Sequence, residues 1–224
     1  MHRTGYKHLD SITALFVAVL LISNIASTKI IDFGIAALDG GVIIFPLSYI
    51  FGDVLTEVYG YVRSRKVIWL GFLSAFIMSI VLIIVGIMPA SPEWGLQREY
   101  ELILGVTPRI FLASLIAYWA GEFTNSFILA KMKVITSGKW LWTRTIGSTI
   151  FGQLIDTFIF IFIAFYGLLP ESLLINLIIT NYILKTFIEI LFTPVTYKIV
   201  NWLKHEEQED YFDKDTNFNP FNLN

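Results

Sequence analysis

From Val67 to Met88 the chain reads VIWLGFLSAFIMSIVLIIVGIM, without a single charge. A helix of that length crosses the ~30 Å hydrocarbon core of a bilayer. Five further apolar stretches are broken by polar residues: Leu9–Ser27, Val42–Tyr61, Arg109–Met132, Leu141–Leu168 and Leu173–Leu203. In hydrocarbon an exposed backbone group finds no water, so each crossing must be helical or shielded by protein. The pattern predicts an all-α integral membrane protein with six transmembrane helices in residues 1–205. A polar segment, 206–224, follows.

The loops give an orientation. Arg3 and Lys7 precede the first span, and Arg63, Arg65 and Lys66 follow the second. Lys131, Lys133 and Lys139 follow the fourth, and Lys198 and Lys204 close the sixth. The alternate loops hold only Lys29, Arg98 and Arg109, diluted by acids. Basic loops stay inside, so both termini are expected in the cytoplasm. The first span follows basic residues as a signal peptide would, but its apolar run is too long for a signal core. Trp94 and Tyr100 in the loop 91–108 suit an interfacial helix. The segment 206–224, EEQEDYFDKDTNFNPFNLN, is acidic and Asn-rich, and is expected to be a disordered cytoplasmic tail.

Composition agrees: 55% of residues are hydrophobic, 15% are charged and the mean hydropathy is +0.67. So few charges do not cover a soluble domain of this size. No cysteine is present, which excludes disulfides, thiolate metal sites and cysteine nucleophiles. The three histidines, His2, His8 and His205, sit near the ends of the chain, so no histidine metal cluster and no cofactor is expected.

Charges inside apolar spans are costly and are therefore candidates for function. The second span aligns Tyr49, Asp53, Thr56, Glu57 and Gly60 on one helical face. The fourth aligns Ser114, Tyr118, Glu122 and Asn125, and the fifth Thr145, Thr149, Gly152, Gln153 and Asp156. If the three faces converge, Asp53, Glu57, Glu122 and Asp156 line one polar cavity at mid-membrane. Lys185 and Glu189, four apart in the sixth span, are expected to pair with each other. Arg144 lies twelve residues before Asp156, ~18 Å along a helix, and so belongs nearer the cytoplasmic rim, as a gate or as partner to a phosphate headgroup or to an acid from another helix.

A short internal repeat accompanies these faces. FGDVLTEV at Phe51 is echoed by FGQLIDTF at Phe151, and NIASTK, ending the first span, by NSFILAK, ending the fourth. Units of three spans would be inverted relative to each other, a common transporter plan with the site at the centre.

Signatures of soluble-enzyme chemistry are missing: no phosphate loop, no H-E-x-x-H and no G-x-S-x-G. The strings SNIASTKI, FPLSYIFGDVLTEVYGY, GEFTNSFILAKMK and RTIGSTIFGQLIDTFIF resemble the queuosine-precursor transporter family, also known as vitamin uptake transporters. The resemblance runs from Ser23 to Phe160 and omits the loop 91–108 and the tail. It implies a multi-pass importer in the bacterial inner membrane, not an enzyme, that scavenges 7-deazaguanines such as 7-cyano-7-deazaguanine, 7-aminomethyl-7-deazaguanine or queuine for a modified base of transfer RNA. The expected partners are that small molecule and membrane lipid; a homodimer is a possible assembly, and no nucleic acid is expected.

Such a base presents N1–H and a 2-amino group on one edge, and a carboxylate accepts both. The residues put forward for binding are Asn24, Lys29, Asp53, Glu57, Glu122, Asn125, Gln153 and Asp156. Gln153, Asn125 or Lys29 would donate to O6, and Phe51, Tyr118 or Phe151 would face the ring; Arg144 would gate or brace. The alternatives are a substrate-binding subunit of an energy-coupling-factor importer, whose docking surface would be the small-residue spacing in ALFVA at Ala14, and an intramembrane enzyme.

Overall fold

The computed structural model describes residues 5–26, 28–32, 37–105, 108–167 and 171–222. Arg3, Ser27, Leu168 and parts of the loop 91–108, used in the reading above, lie outside them, as do the last two residues of the tail. Seven helices dominate: α1 (Leu9–Ala26), α2 (Phe45–Tyr59), α3 (Tyr61–Ile87), α4 (Gln97–Ile103), α5 (Pro108–Ile135), α6 (Leu141–Phe165) and α7 (Glu171–Glu207). The helical prediction omitted one feature. Between α1 and α2 a short antiparallel hairpin pairs β1 (Ile30–Asp32) with β2 (Ala37–Asp39), leading into a turn of 3-10 helix. Gly40 donates to the Lys29 carbonyl at 2.7 Å, and a Cβ at Gly40 would stand 2.5 Å from the Ala26 carbonyl.

Four of the helices, α1, α3, α6 and α7, are long and apolar enough to cross a membrane. Leu70, Leu73, Phe76, Ile77, Val81 and Ile84 all stand exposed along α3, an apolar surface that water would not tolerate and lipid would. The other two expected spans are different in kind. α2 has 15 residues, ~22 Å at the helical rise, and buries Asp53 and Glu57. α5 carries Glu122, Lys131 and Lys133 in its sequence. The short α4 sits where the interfacial helix was expected, with the Trp94 and Tyr100 rings 6.1 Å apart.

Local chemistry sets the helix ends. Pro46 lies in the first turn of α2, where its missing N–H costs nothing. α2 and α3 meet at Gly60, whose φ of +84° is open to glycine and strained for other residues. A side chain there would also strike the Tyr211 ring.

α2 is the central helix, packed against α1, α3, α5 and α7. α5 and α6 make the most extensive helix pair, brought together by glycines on their facing sides. A Cβ at Gly121 would lie 3.0 Å from the Gly152 carbonyl, and one at Gly152 3.1 Å from the Gly121 carbonyl.

The tail departs from the disorder expected of 206–224. Asp213 accepts the Tyr61 backbone N–H with both oxygens, at 3.0 and 3.2 Å, and so caps the start of α3. Arg65 donates to the carbonyls of Asn217 and Asn219, and the Trp69 indole to that of Pro220. The Phe218 ring lies 4.0 Å from the Lys131 ammonium, and Phe221 packs on Trp69 and Trp119. Composition hid this because the segment's acids and aromatics have their complement in the basic ends of α3 and α5.

Candidate functional site

The polar faces of α2, α5 and α6 do converge, and α7 completes the enclosure. Two groups of buried charge result. One lies at the Gly60 end of α2, the other about a turn deeper.

At the Gly60 end, Glu57 is fully buried among cations. Its Oε1 accepts from Arg144 at 2.6 Å and from Lys204 at 2.7 Å, with Lys133 at 3.6 Å. Lys133 also donates to the Glu57 backbone carbonyl and to that of Tyr211. The tail closes this group, for Asp210 bridges Lys133 at 2.6 Å and Lys204 at 2.9 Å. Burial raises the Asp210 pKa, but the bonds from Lys133 and Lys204 outweigh it and hold the carboxyl below its ordinary range. Arg144 further donates to the Lys139 carbonyl. It therefore pairs with an acid of another helix, one of the roles expected of it. Glu57 Oε1 is thereby engaged by cations, while its Oε2 is buried without a hydrogen-bond partner.

Deeper in, the acids pair with amides and one lysine. Asn125 donates to Asp53 at 2.7 Å, and Gln153 donates to Glu189 at 3.0 Å. Lys185 reaches Asp156 at 2.8 Å and lies 4.7 Å over the Phe45 ring. The expected Lys185–Glu189 pair is thus replaced by two contacts from α7 to α6. A carbon-free face on α2 makes room for α5: a Cβ at Gly52 would stand 1.6 Å from Glu122 Oε1. Several buried atoms here have no partner, the Tyr49 hydroxyl, Asn125 Oδ1 and Gln153 Oε1 among them, while Tyr118, Glu122 and Glu189 have only the hydroxyls of Ser48, Ser126 and Thr149 beside them. Burying a polar atom unpaired costs on the order of 1–3 kcal/mol, so such a concentration marks a place built for something other than stability.

Of the expected binding residues, Asp53, Glu122, Asn125, Gln153 and Asp156 meet in this deeper group, with Tyr118 beside them. Asn24 and Lys29 do not join it. The Asn24 amide donates back to the Leu20 carbonyl of its own helix, and Lys29 is exposed in the turn after α1. Phe51 is half-buried against the apolar core, whereas Phe151 is 53% exposed and faces away from the site. Tyr49 supplies the aromatic wall instead, its ring 6.3 Å from that of Tyr118. Sequence reasoning missed Glu189 as a site residue; its signal was an acid in an apolar span, set aside in favour of a local pair. Lys133 and Lys204 were read only as markers of orientation.

The group is closed to solvent, with Asp53 2% exposed and Glu122, Asn125 and Gln153 fully buried. An open cavity of about 470 Å³ lies elsewhere, at the far end of α3, lined by Leu82, Ile83, Gly86, Pro89, Gln97 and Glu101 among others. Gln97 spends its amide there on the Gly86 carbonyl and Glu101, so that cavity lacks the free polar atoms of the central group.

A closed polar site inside an apolar helical bundle, reached by acids from four helices, is the build of a membrane transporter. Residues 39–199 match the family described as "Putative vitamin uptake transporter", and the chain belongs to that family. It is a multi-pass membrane transporter and not an enzyme. Among similar proteins, the "Probable queuosine precursor transporter" of Bacillus subtilis is 30% identical over 83% of this chain and 82% of its own. The "Queuosine precursor transporter" of Escherichia coli is 25% identical over 71% of each chain, and a "Probable queuosine precursor transporter" of Haemophilus influenzae 27% over 71% of this chain and 67% of its own. No solved structure matches the chain.

Proposed function

We propose that this protein imports queuosine precursors, 7-deazaguanine bases, across the bacterial inner membrane, and that the deeper group at Asp53, Glu122, Asn125, Gln153, Asp156 and Glu189 is where the base binds. The observation that carries the reading is the concentration of buried donors and acceptors left without full hydrogen bonding in this one group. A 7-deazaguanine complements that set. Its N1–H and 2-amino group suit a carboxylate, with Asp53 or Glu122 in the same group. Its O6 accepts a hydrogen bond from the Tyr49 or Tyr118 hydroxyl, since both site amides already donate to acids. A base with a different edge leaves these atoms unpaired and is rejected.

The six-span plan with both termini in the cytoplasm belongs to this reading. It places the Glu57 cluster and the tail at the cytoplasmic rim, where the basic loops lie. The inverted repeat is supported by position. Gly52 and Gly152 occupy the same place in the two repeat strings, and each lies against a polar side chain of α5, Glu122 and Asn125 respectively. The next residue in each string, Asp53 or Gln153, forms an acid–amide pair.

The test is uptake of each labelled base into cells that cannot make it, with and without this gene, in a host lacking every coupling ATPase. Gene-dependent uptake supports a self-sufficient importer. Uptake only when the ATPases are restored identifies a substrate-binding subunit, and no uptake of any 7-deazaguanine overturns the substrate.

A further inference from the structure

Glu122 differs from every other buried acid among the described residues. Asp53 is held by Asn125, Asp156 by Lys185, Glu189 by Gln153 and Glu57 by Arg144 and Lys204. Glu207 accepts the backbone N–H groups of Lys7 and His8, and Asp213 that of Tyr61. Glu122 is 0% exposed, and no cation or amide stands against its oxygens; its one donor neighbour among the described residues is the Ser126 hydroxyl. The Ser126 oxygen, one turn along α5, accepts from Thr56 and meets Ser64, and a single hydroxyl is not the counter-ion that a buried carboxylate requires.

Beyond the Ser126 hydroxyl, the described residues around Glu122 offer a charged carboxyl no counter-ion. α2 presents Tyr49 and Asp53, α5 its own Tyr118, and α6 presents Asp156. α7 presents Glu189 and Lys185, and that one cation is committed to Asp156. α1 reaches this region with the apolar Phe16, whose ring lies 6.2 Å from that of Tyr118. Three acids and no free cation therefore surround a carboxyl wholly removed from water. An uncompensated buried charge is among the costliest things a protein can hold, and the group neutralises instead. Gly52 removes the carbon that would otherwise fill the space, so the carboxyl is accommodated in that place rather than trapped by accident.

We infer that Glu122 is a proton-binding residue of the transport cycle: its carboxyl carries a proton in this closed packing and gives it up when the site opens to take the base. The O–H bond breaks, the proton passes to water on the open side, and the carboxylate left behind accepts from the donor edge of the base. Closure without the base needs the proton back. This deepens the importer reading and rests on it for the second half of the cycle, but the first half does not depend on any substrate.

Infrared spectroscopy of the purified full-length protein in lipid tests it. At neutral pH the wild type should show a protonated-carboxyl C=O band that is lost in Glu122→Gln, and 7-cyano-7-deazaguanine should diminish that band in the wild type. The neutral glutamine should leave the Tm close to the wild-type value, which keeps the comparison valid. Absence of a Glu122-dependent band overturns the inference even if import is intact, and so does a large fall in Tm in Glu122→Gln, which would mean that a charge had been removed. A band that persists unchanged while the base demonstrably binds overturns the coupling. A band present in a protein that imports no 7-deazaguanine leaves the proton site standing and removes the substrate.

Discussion

Glu57 and Glu122 are both fully buried glutamates, yet one has three cations around it and the other has none within ion-pair distance among the described residues. Glu57 ties α2 to α5, α6 and α7 at the Gly60 end, where Asp210 of the tail adds a second anion. Glu122 faces acids, hydroxyls and amides. The first arrangement spends its electrostatics on holding helices together. The second keeps them unspent, which is what a site that must accept a ligand and later release it requires. The difference teaches that burial of a carboxylate says little about its job until its partners are counted.

Removing the anion at Glu57 should produce the largest effect. Glu57→Gln leaves Arg144, Lys133 and Lys204 facing one another, and breaking a buried ion pair from one side costs ~3–5 kcal/mol. The Tm of the detergent-purified protein should fall well below that of Glu122→Gln; equal Tm values for the two variants would erase the contrast. Next comes Asp53→Asn. It replaces an acceptor with a donor beside Asn125, at ~1.5–3 kcal/mol for a charge-assisted bond, so base binding should weaken by about tenfold to a few hundredfold. Titration calorimetry or competition uptake reads this, and wild-type affinity in the variant moves the site elsewhere.

A smaller loss is expected from Asp213→Ala, which removes the cap on Tyr61, ~0.5–2 kcal/mol by analogy with other helix caps. Deleting residues 210–222 should cost more stability than this one change, and equal costs would show that the strap is held at Asp213 alone. The pH dependence of the strap is weaker still. The Asp210 pKa lies below its unfolded value, so its contribution is complete above the ordinary aspartate range, about pH 4, and is lost as pH falls through the folded value. The Tm gap between wild type and Asp210→Asn should therefore be constant from about pH 5 to 8 and close only in acid. Glu171→Gln, at the exposed start of α7, should change stability by less than about 0.5 kcal/mol and leave uptake alone.

Much of this was legible in the chain. Hydropathy located α3 outright because it carries no charge over its apolar run. α2 and α5 were legible as weaker apolar stretches broken by polar residues, and the spacing of the polar residues in the second, fourth and fifth spans led to Asp53, Glu122, Asn125, Gln153 and Asp156. Arg144 was placed by helix arithmetic alone. What failed was pairing. Lys185 and Glu189 are neighbours on one helix turn, but Asp156 and Gln153 across the interface claim them separately. The tail failed for a related reason. Its acids and rings read as solvated when taken alone, and their partners Lys133, Arg65 and Trp69 are far away in sequence.

The strap also sets an order of assembly. Residues 210–222 leave the ribosome after every helix has been made, so α3 reaches the membrane before Asp213 exists to cap it and before Phe221 can cover Trp69 and Trp119. Until then Arg65 and Lys133 stand without these late partners on the newly formed bundle. The Gly60 end of α2 is therefore closed only after all the helices that it joins have been made.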